Sequence, residues 1–134
     1  MPRDPIARQD AQAWVAKAEL DLRAAKLDLS VDPPLLADAA FHCQQAAEKS
    51  LKGILALHDR PFRKTHDIGE LAGVAIQVED AIAQSALAAR QLTKYSWAFR
   101  YPGDVDEPPA ADVDDALARA TALVTAARAV VEAE

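Results

Sequence analysis

The chain has 134 residues, one cysteine and a formal net charge of −6. A lone cysteine excludes an internal disulfide framework and cysteine-rich zinc sites, and the acidic balance argues against a broadly basic nucleic-acid coat. Because the sequence has no uncharged apolar stretch near the roughly 20 residues of a membrane helix and no apolar leader, we expect one cytoplasmic domain over residues 1–134, without membrane contact.

Composition favours helices along the whole chain. Alanine, the strongest helix former, supplies 31 of the 134 residues, and residues that favour strands are sparse. Prolines, which are poorly tolerated inside helices, divide the chain into segments. The sequence therefore predicts an all-α protein.

The first two predicted helices span about 5–30 and 34–58. Apolar residues of the first recur at alternating spacings of four and three, and Leu20 widens this face. Asp32 is the predicted N-cap of the second helix. Cys43 lies in the middle of the second apolar arc, so we expect a small buried hydrophobe rather than a nucleophile. His58 ends that arc and is expected to pack rather than to bind a ligand.

The rest of the chain is predicted to contain three more helices. Asp67 with Glu70 three residues later is a capping box, which marks a helix start. No proline follows before residue 99, so the sequence leaves open one helix or two; we favour a short helix over 67–77 and a long one over 80–99. An acidic, proline-rich loop over 101–110 precedes a fifth helix from about Asp112. The prediction is an up-and-down bundle of four long helices plus a short helix.

The second helix carries an unusual polar edge. At 100° per residue, an arc of about 80° contains His42, Gln45, Lys49 and Lys52. Such an edge is commonly only a solvated face, and Glu48 makes an i,i+4 pair with Lys52. However, Phe41 lies on the same side, and Gln44 lies on the buried side, where its amide needs a partner. The mixture favours a site or an interface.

Charge is separated along the chain. Residues 49–66 contain five basic residues against one acidic residue, whereas residues 104–115 contain six acidic residues and no basic one. This separation fits an anion-binding surface for phosphate or nucleotide, and it fits head-to-tail self-association equally well. His66, next to the predicted helix start, either contacts a phosphate there or closes the loop through a backbone hydrogen bond.

Aromatic residues concentrate near the end of the predicted fourth helix. Four of them lie within the seven positions 95–101, and Arg100 lies among them. Arg100 either bonds the last carbonyls of the helix or, beside aromatic faces, contributes to base stacking, phosphate binding or an interface hot spot.

Three ordered segments resemble the HEPN domain (higher eukaryotes and prokaryotes nucleotide-binding). They read FHCQQAAEKSLK at 41–52, THDI at 65–68 and RYPGD at 100–104. The resemblance covers nearly the whole chain and implies a helical bundle, usually dimeric, with relatives often encoded beside a minimal nucleotidyltransferase in a toxin–antitoxin-like pair. The candidate nucleotide- or anion-binding residues are His42, Gln45, Lys49, Lys52, Thr65, His66, Arg100 and Tyr101.

The leading hypothesis is a non-catalytic or weakly catalytic homodimeric module that binds a nucleotide-type anion or a nucleotidyltransferase partner, without a cofactor. Lys49 and Lys52 would supply the positive charge of its cationic pocket. His42 and Gln45 would orient hydrogen bonds. His66 and Arg100 would close the site.

Two alternatives stay open. One is a metal-independent endoribonuclease, in which an Arg–His pair acts on the ribose 2′-hydroxyl of RNA. Ribonucleases of the wider superfamily carry a histidine four to six residues after an arginine; Arg100 has none downstream, whereas Arg60 and His66 have this spacing in the loop after the second helix. The other alternative is a purely structural interaction subunit.

No metal site is expected from the sequence. Di-iron helical bundles use Glu-x-x-His pairs, and none of the three histidines has a glutamate three residues before it.

Overall fold

The computed structural model describes residues 4–104 and 106–133, so Val105 of the predicted loop lies outside the described residues. Its α-helices are α1 (Pro5–Ser30), α2 (Leu36–Leu57), α3 (Ile68–Val78), α4 (Ala83–Ala89) and α5 (Ala110–Glu132). Short 3₁₀ segments at Asp80–Ile82 and Arg90–Ser96 flank α4. Over these ranges there is no strand, and the predicted all-helical bundle is confirmed.

Helix α2 is the centre of the bundle. It packs against α1, α3 and α5 and against the second 3₁₀ segment. Cys43 on this helix is fully buried, as predicted, and burial raises the pKa of its thiol to about 12. At Gly53 a Cβ atom would lie 3.2 Å from Trp14 Cβ and 3.3 Å from the carbonyl oxygen of Ala11. The absence of a side chain there lets α1 approach α2 closely.

Two expectations about the first helices are wrong. Asp32 does not cap α2, because α2 begins only at Leu36 and the residue before it, Leu35, provides no side-chain cap. Leu20 does not widen the buried face of α1 but is 54% exposed. None of the described helices is both long and apolar enough to cross a bilayer.

The prediction of one long fourth helix over 80–99 is wrong, because only Ala83–Ala89 is α-helical and a 3₁₀ segment lies on each side of it. In the last part of 80–99 the buried residues are Ala89, Leu92 and Tyr95, three residues apart. This spacing matches the three residues per turn of a 3₁₀ helix better than the 3.6 of an α-helix. In addition, the hydroxyl of Thr93 accepts a hydrogen bond from the backbone N–H of Ile68 at 3.1 Å, which ties the segment to the start of α3.

The start of α3 follows the predicted cap in part. Asp67 Oδ1 accepts hydrogen bonds from the N–H groups of Gly69 at 2.9 Å and Glu70 at 3.3 Å. The reciprocal half of the capping box is replaced, because the N–H of Asp67 donates to Thr65 Oγ1 and the side chain of Glu70 pairs with Arg63 instead. The cap nevertheless holds the loop before α3 in place against α2.

Candidate functional site

Two buried carboxylates organise the polar edge of α2. Asp21 on α1 is 8% exposed, and Glu48 on α2 itself is 4% exposed. A carboxylate withdrawn from water requires compensating hydrogen bonds or cations. The side chains that surround these two groups supply them, and they include four of the eight residues predicted from the sequence: His42, Lys49, Lys52 and His66.

Asp21 joins two residues of the predicted edge. Its Oδ2 accepts a hydrogen bond from Lys49 Nζ at 2.7 Å, and its Oδ1 lies 2.8 Å from His42 Nδ1. Positions 42 and 49 are seven residues apart and share one face of α2, so both reach the neighbouring α1. The ring and the ammonium group are thereby fixed by one acidic residue on another helix.

Glu48 gathers a second group of side chains. Its Oε2 accepts from Lys52 Nζ at 2.9 Å, and its Oε1 accepts from Gln44 Nε2 at 3.0 Å and lies 2.7 Å from His66 Nδ1. Burial by itself would raise the pKa of Glu48, but the hydrogen bonds from Lys52, His66 and Gln44 outweigh it, so the pKa is lowered. Glu48 therefore holds a negative charge that links α2 to the loop before α3.

Lys52 is enclosed rather than presented to solvent. Its Nζ lies 5.7 Å from the ring centroids of both Trp14 and Phe62, a cation–π arrangement. With Glu48 on its other side, the Lys52 side chain is only 11% exposed. Since Lys52 and Lys49 each reach a carboxylate, a bound anion would have to share both cations with acidic residues of the protein.

Gln44 and Gln45 complete the polar edge of α2. Gln44, whose buried amide required a partner, donates to Glu48 and accepts from Gln45 Nε2 at 2.7 Å. Gln45 is half-buried. The requirement read from the sequence is thus met by two neighbours on the same helix.

The loop residues Thr65 and His66 have different roles in the structure. Thr65 uses its hydroxyl to accept from the backbone of Asp67, as part of the start of α3. His66 places Nδ1 on the buried Glu48, while its side chain stays 69% exposed. The structure thus brings His66 to the polar edge through a carboxylate.

Arg100 lies in a separate place, beside Phe41. Its Cζ is 3.9 Å from the centroid of the Phe41 ring, and its Nη1 donates to the carbonyl of Ser96 at 2.7 Å. Both residues line a groove of about 370 Å³ together with Ala37, Asp38 and Phe99. Arg100 therefore makes a bond at the end of its helical segment, as considered from the sequence, and also lies over an aromatic ring of α2.

The aromatic loop, residues 97–101, contains two residues that are notable for their conformation or exposure. Phe99 has φ of 65°, a left-handed backbone that costs a non-glycine residue about 1–2 kcal/mol. Its side chain packs on the core, 6.3 Å from the ring of Tyr95. Tyr101 is exposed, and its backbone N–H donates to Asp104 Oδ2 at 3.0 Å.

Arg60 and His66, the alternative pair, have different surroundings in the structure. Arg60 is exposed and lines a groove with Asp59, Pro61 and the first residues of α1, and His66 is not part of that lining. His58, expected to pack, is half-buried and lies 2.8 Å from Glu79 Oε1.

Asp21 is the residue that the sequence interpretation missed. It lies on α1, three residues after Ala18 and four before Ala25, both fully buried. Residues at these spacings are neighbours on a helix surface. An acidic residue between two buried alanines was the signal that a cation on another helix must face it.

The sequence and the fold of the whole chain can be compared with those of known proteins. A sequence profile described as the HEPN domain matches residues 11–132. No curated protein matches the chain. The fold is similar to the crystal structure of an archaeal HEPN homologue, with a TM-score of 0.65 and 25% identity, over 98% of this chain and 100% of that one. Because the profile covers nearly the whole chain, this protein belongs to the HEPN domain family.

Proposed function

We propose that this HEPN domain is a non-catalytic module that binds a nucleotide-type ligand in the groove between Phe41 and Arg100. The observation that carries the proposal is the guanidinium of Arg100, stacked 3.9 Å above the Phe41 ring at a groove of about 370 Å³. A groove of this size lies at the lower end of small-molecule sites.

The Arg100 side chain is suited to a phosphate. A guanidinium presents donors in a planar fork that matches phosphate oxygens, and stacking holds that plane before the ligand arrives. In the part of the chain that the structure describes, Arg100 makes no ion pair, in contrast to Lys49 and Lys52. A phosphate at Arg100 therefore displaces no internal carboxylate.

The other wall of the groove suits the rest of a nucleotide. Asp38 lines it with an exposed carboxylate that can accept from a ribose hydroxyl or a base amino group. Asp38 Oδ2 is 3.4 Å from His42 Nε2, and His42 is in turn held by Asp21. In this proposal the polar edge predicted from the sequence acts mainly as the support that positions Asp38 and Phe41.

Calorimetric titration with AMP, ADP and ATP tests this function. The wild-type chain is expected to bind at least one of them, and Arg100→Ala is expected to weaken binding at least tenfold. Arg90→Ala is the matched control, because Arg90 is also exposed and also donates to a carbonyl within its own segment, that of Leu87. Absence of binding at millimolar nucleotide, or equal losses in both variants, contradicts the proposal.

The expected partner proteins belong to the same proposal. Trp97 and Tyr101, each more than 60% exposed, lie in the aromatic loop beside the groove and supply the residue types of interface hot spots for a nucleotidyltransferase. Leu20 and Leu27 on α1 and Val31 directly after it are exposed apolar residues, suited to contact with a second copy of the chain. Light scattering of the chain alone tests the homodimer, and Leu27→Glu is expected to yield monomers. Light scattering of the chain mixed with the product of the adjacent gene tests the second surface. Trp97→Ala is expected to weaken the complex of the two proteins.

One observation favours endoribonuclease activity as a second candidate. Glu48 holds Nδ1 of an otherwise exposed His66, which is the arrangement that orients a histidine for proton transfer through its other nitrogen. Incubation with unstructured RNA in chelator tests it. If the candidate is right, His66→Ala abolishes cleavage and His58→Ala, which removes another carboxylate-paired histidine, does not.

A further inference from the structure

A second cluster of chemically active side chains lies where α1 meets the first turn of α2. One oxygen of Asp28, one of Asp38 and one ring nitrogen of His42 all lie within 4.8 Å of one another. The backbone holds the two helices together at this point, because the N–H of Leu35 donates to the carbonyl of Asp28 at 2.9 Å. Asp38 and His42 are four residues apart and share a face of α2.

His42 is oriented for coordination by a group outside this cluster. Its Nδ1 lies 2.8 Å from Asp21 Oδ1, and because a carboxylate only accepts, Nδ1 carries the proton of that bond. In the neutral ring Nε2 is then an unprotonated acceptor, and it lies 3.4 Å from Asp38 Oδ2. A carboxylate that holds one ring nitrogen so that the other can bind a metal is the common second layer of metal-binding histidines.

Asp28 supplies an independent observation. Its Oδ2 is withdrawn from solvent and receives no hydrogen bond from any described residue. A buried carboxylate oxygen without a donor is unfavourable, since it has lost its water without replacement. A metal ion bound between the two carboxylates and Nε2 would give this oxygen of Asp28 the partner that it lacks.

We propose that Asp28, Asp38 and His42 form a site for a divalent transition-metal ion, with Asp21 as the positioning residue for the histidine. Two ligands at about 2.1 Å from a tetrahedral zinc ion are about 3.4 Å apart, which matches the separation of His42 Nε2 and Asp38 Oδ2. Three protein ligands with an exposed Asp38 leave at least one coordination position for water.

The donor set selects the class of ion. One imidazole with two carboxylates suits Zn²⁺ or Mn²⁺, whereas Mg²⁺ and Ca²⁺ prefer sites made of oxygen alone. The expected absence of a metal site rested on the Glu-x-x-His spacing within one helix; here Asp28 comes from a different helix, and the spacing on α2 is Asp-x-x-x-His. The proposal does not depend on nucleotide binding.

Calorimetric titration of the chelator-treated chain with ZnCl₂ alone tests the site, with Mn²⁺ broadening of backbone NMR signals as a second readout. One ion per chain is expected, with broadening centred on residues 28, 38 and 42. Asp38→Asn is the main variant, because Asp38 is an exposed residue whose replacement leaves the core intact. It is expected to weaken Zn²⁺ binding at least tenfold, as is His42→Gln.

Asp112→Asn is the matched control, since Asp112 is also an acidic residue in the first turn of a long helix. It is expected to leave Zn²⁺ affinity within twofold of wild type. Asp21→Asn is expected to weaken Zn²⁺ binding, and restoring a carboxylate with Asp21→Glu to recover part of it. The proposal is overturned if Zn²⁺ binds only at millimolar concentration or if Asp38→Asn binds as well as wild type. It is also overturned if His66→Ala abolishes binding while the variants at Asp38 and His42 retain it.

Discussion

The buried polar edge of α2 and the groove at Phe41 and Arg100 place their positively charged side chains in different surroundings. At the edge, Lys49 and Lys52 are each within 3 Å of a carboxylate that is nearly inaccessible to water. At the groove, Arg100 rests on an aromatic ring and a carbonyl oxygen. A cation beside a buried acid therefore mainly stabilises the fold. A cation beside an aromatic ring and a carbonyl oxygen remains available to bind a ligand.

The largest effect that sharpens this comparison is expected from Glu48→Ala. The substitution leaves Lys52 buried against two aromatic rings without its carboxylate, which costs about 3–5 kcal/mol of unfolding free energy. Urea denaturation measures it. Glu70→Ala is the control, because it removes an exposed ion pair with Arg63 and is expected to cost at most about 1 kcal/mol. Similar losses in both variants would contradict the stated role of Glu48.

A smaller loss is expected from Asp21→Asn. The amide keeps the volume of the carboxylate and some of its hydrogen bonding but removes the charge that faces Lys49 and His42. Both partners are about a quarter exposed, so water compensates in part, and we expect a loss of about 1–2 kcal/mol in the same urea experiment. The exposed Asp10→Asn on the same helix serves as its control.

The pH dependence of stability tests the buried ion pair of Glu48 and Lys52. The pKa of Glu48 is lowered in the folded state, so its stabilising contribution is present above its unfolded value of 4.5 and is lost as pH falls through the lower folded value. The difference in unfolding free energy between wild type and Glu48→Gln is therefore expected to shrink steadily below pH 4.5. A difference that stays constant down to pH 3 would show that the charge of Glu48 contributes nothing.

The smallest effect on stability is expected at the groove. Arg100→Ala removes an exposed side chain whose bonds are to a ring and a carbonyl, so the unfolding free energy should change by less than about 0.5–1 kcal/mol. Thermal denaturation measures this change in the preparation used for nucleotide titration. A large destabilisation by Arg100→Ala would mean that the groove, like the edge, is part of the structural framework.

Local sequence patterns predicted most of the fold. The spacing of apolar residues located α1 over its full length, and the Asp67 cap located the start of α3, because both depend on residues within one or two turns. The prediction for 80–99 differed from the structure because its last part follows a three-residue repeat of burial, which arises from packing against other helices.

The candidate site could be predicted only in part. The angular position of His42, Gln45, Lys49 and Lys52 was readable from α2 alone. Their partners were not, since Asp21 belongs to α1 and His66 to a loop, and no spacing within α2 indicates either. The contact between Phe41 and Arg100 joins residues far apart in the chain, so it too was outside local reasoning.

The sequence by itself determined that the chain is helical, where its long helices α1, α2 and α5 run, that Cys43 is buried and that the chain resembles HEPN domains. These properties depend on composition, short periodicities and residue order. Only the tertiary structure decided which lysines are neutralised, which carboxylate each histidine faces and which oxygen of Asp28 lacks a donor. The physical reason is that the state of a polar group is set by the atoms within about 3 Å of it, and for buried groups many of those atoms come from other helices.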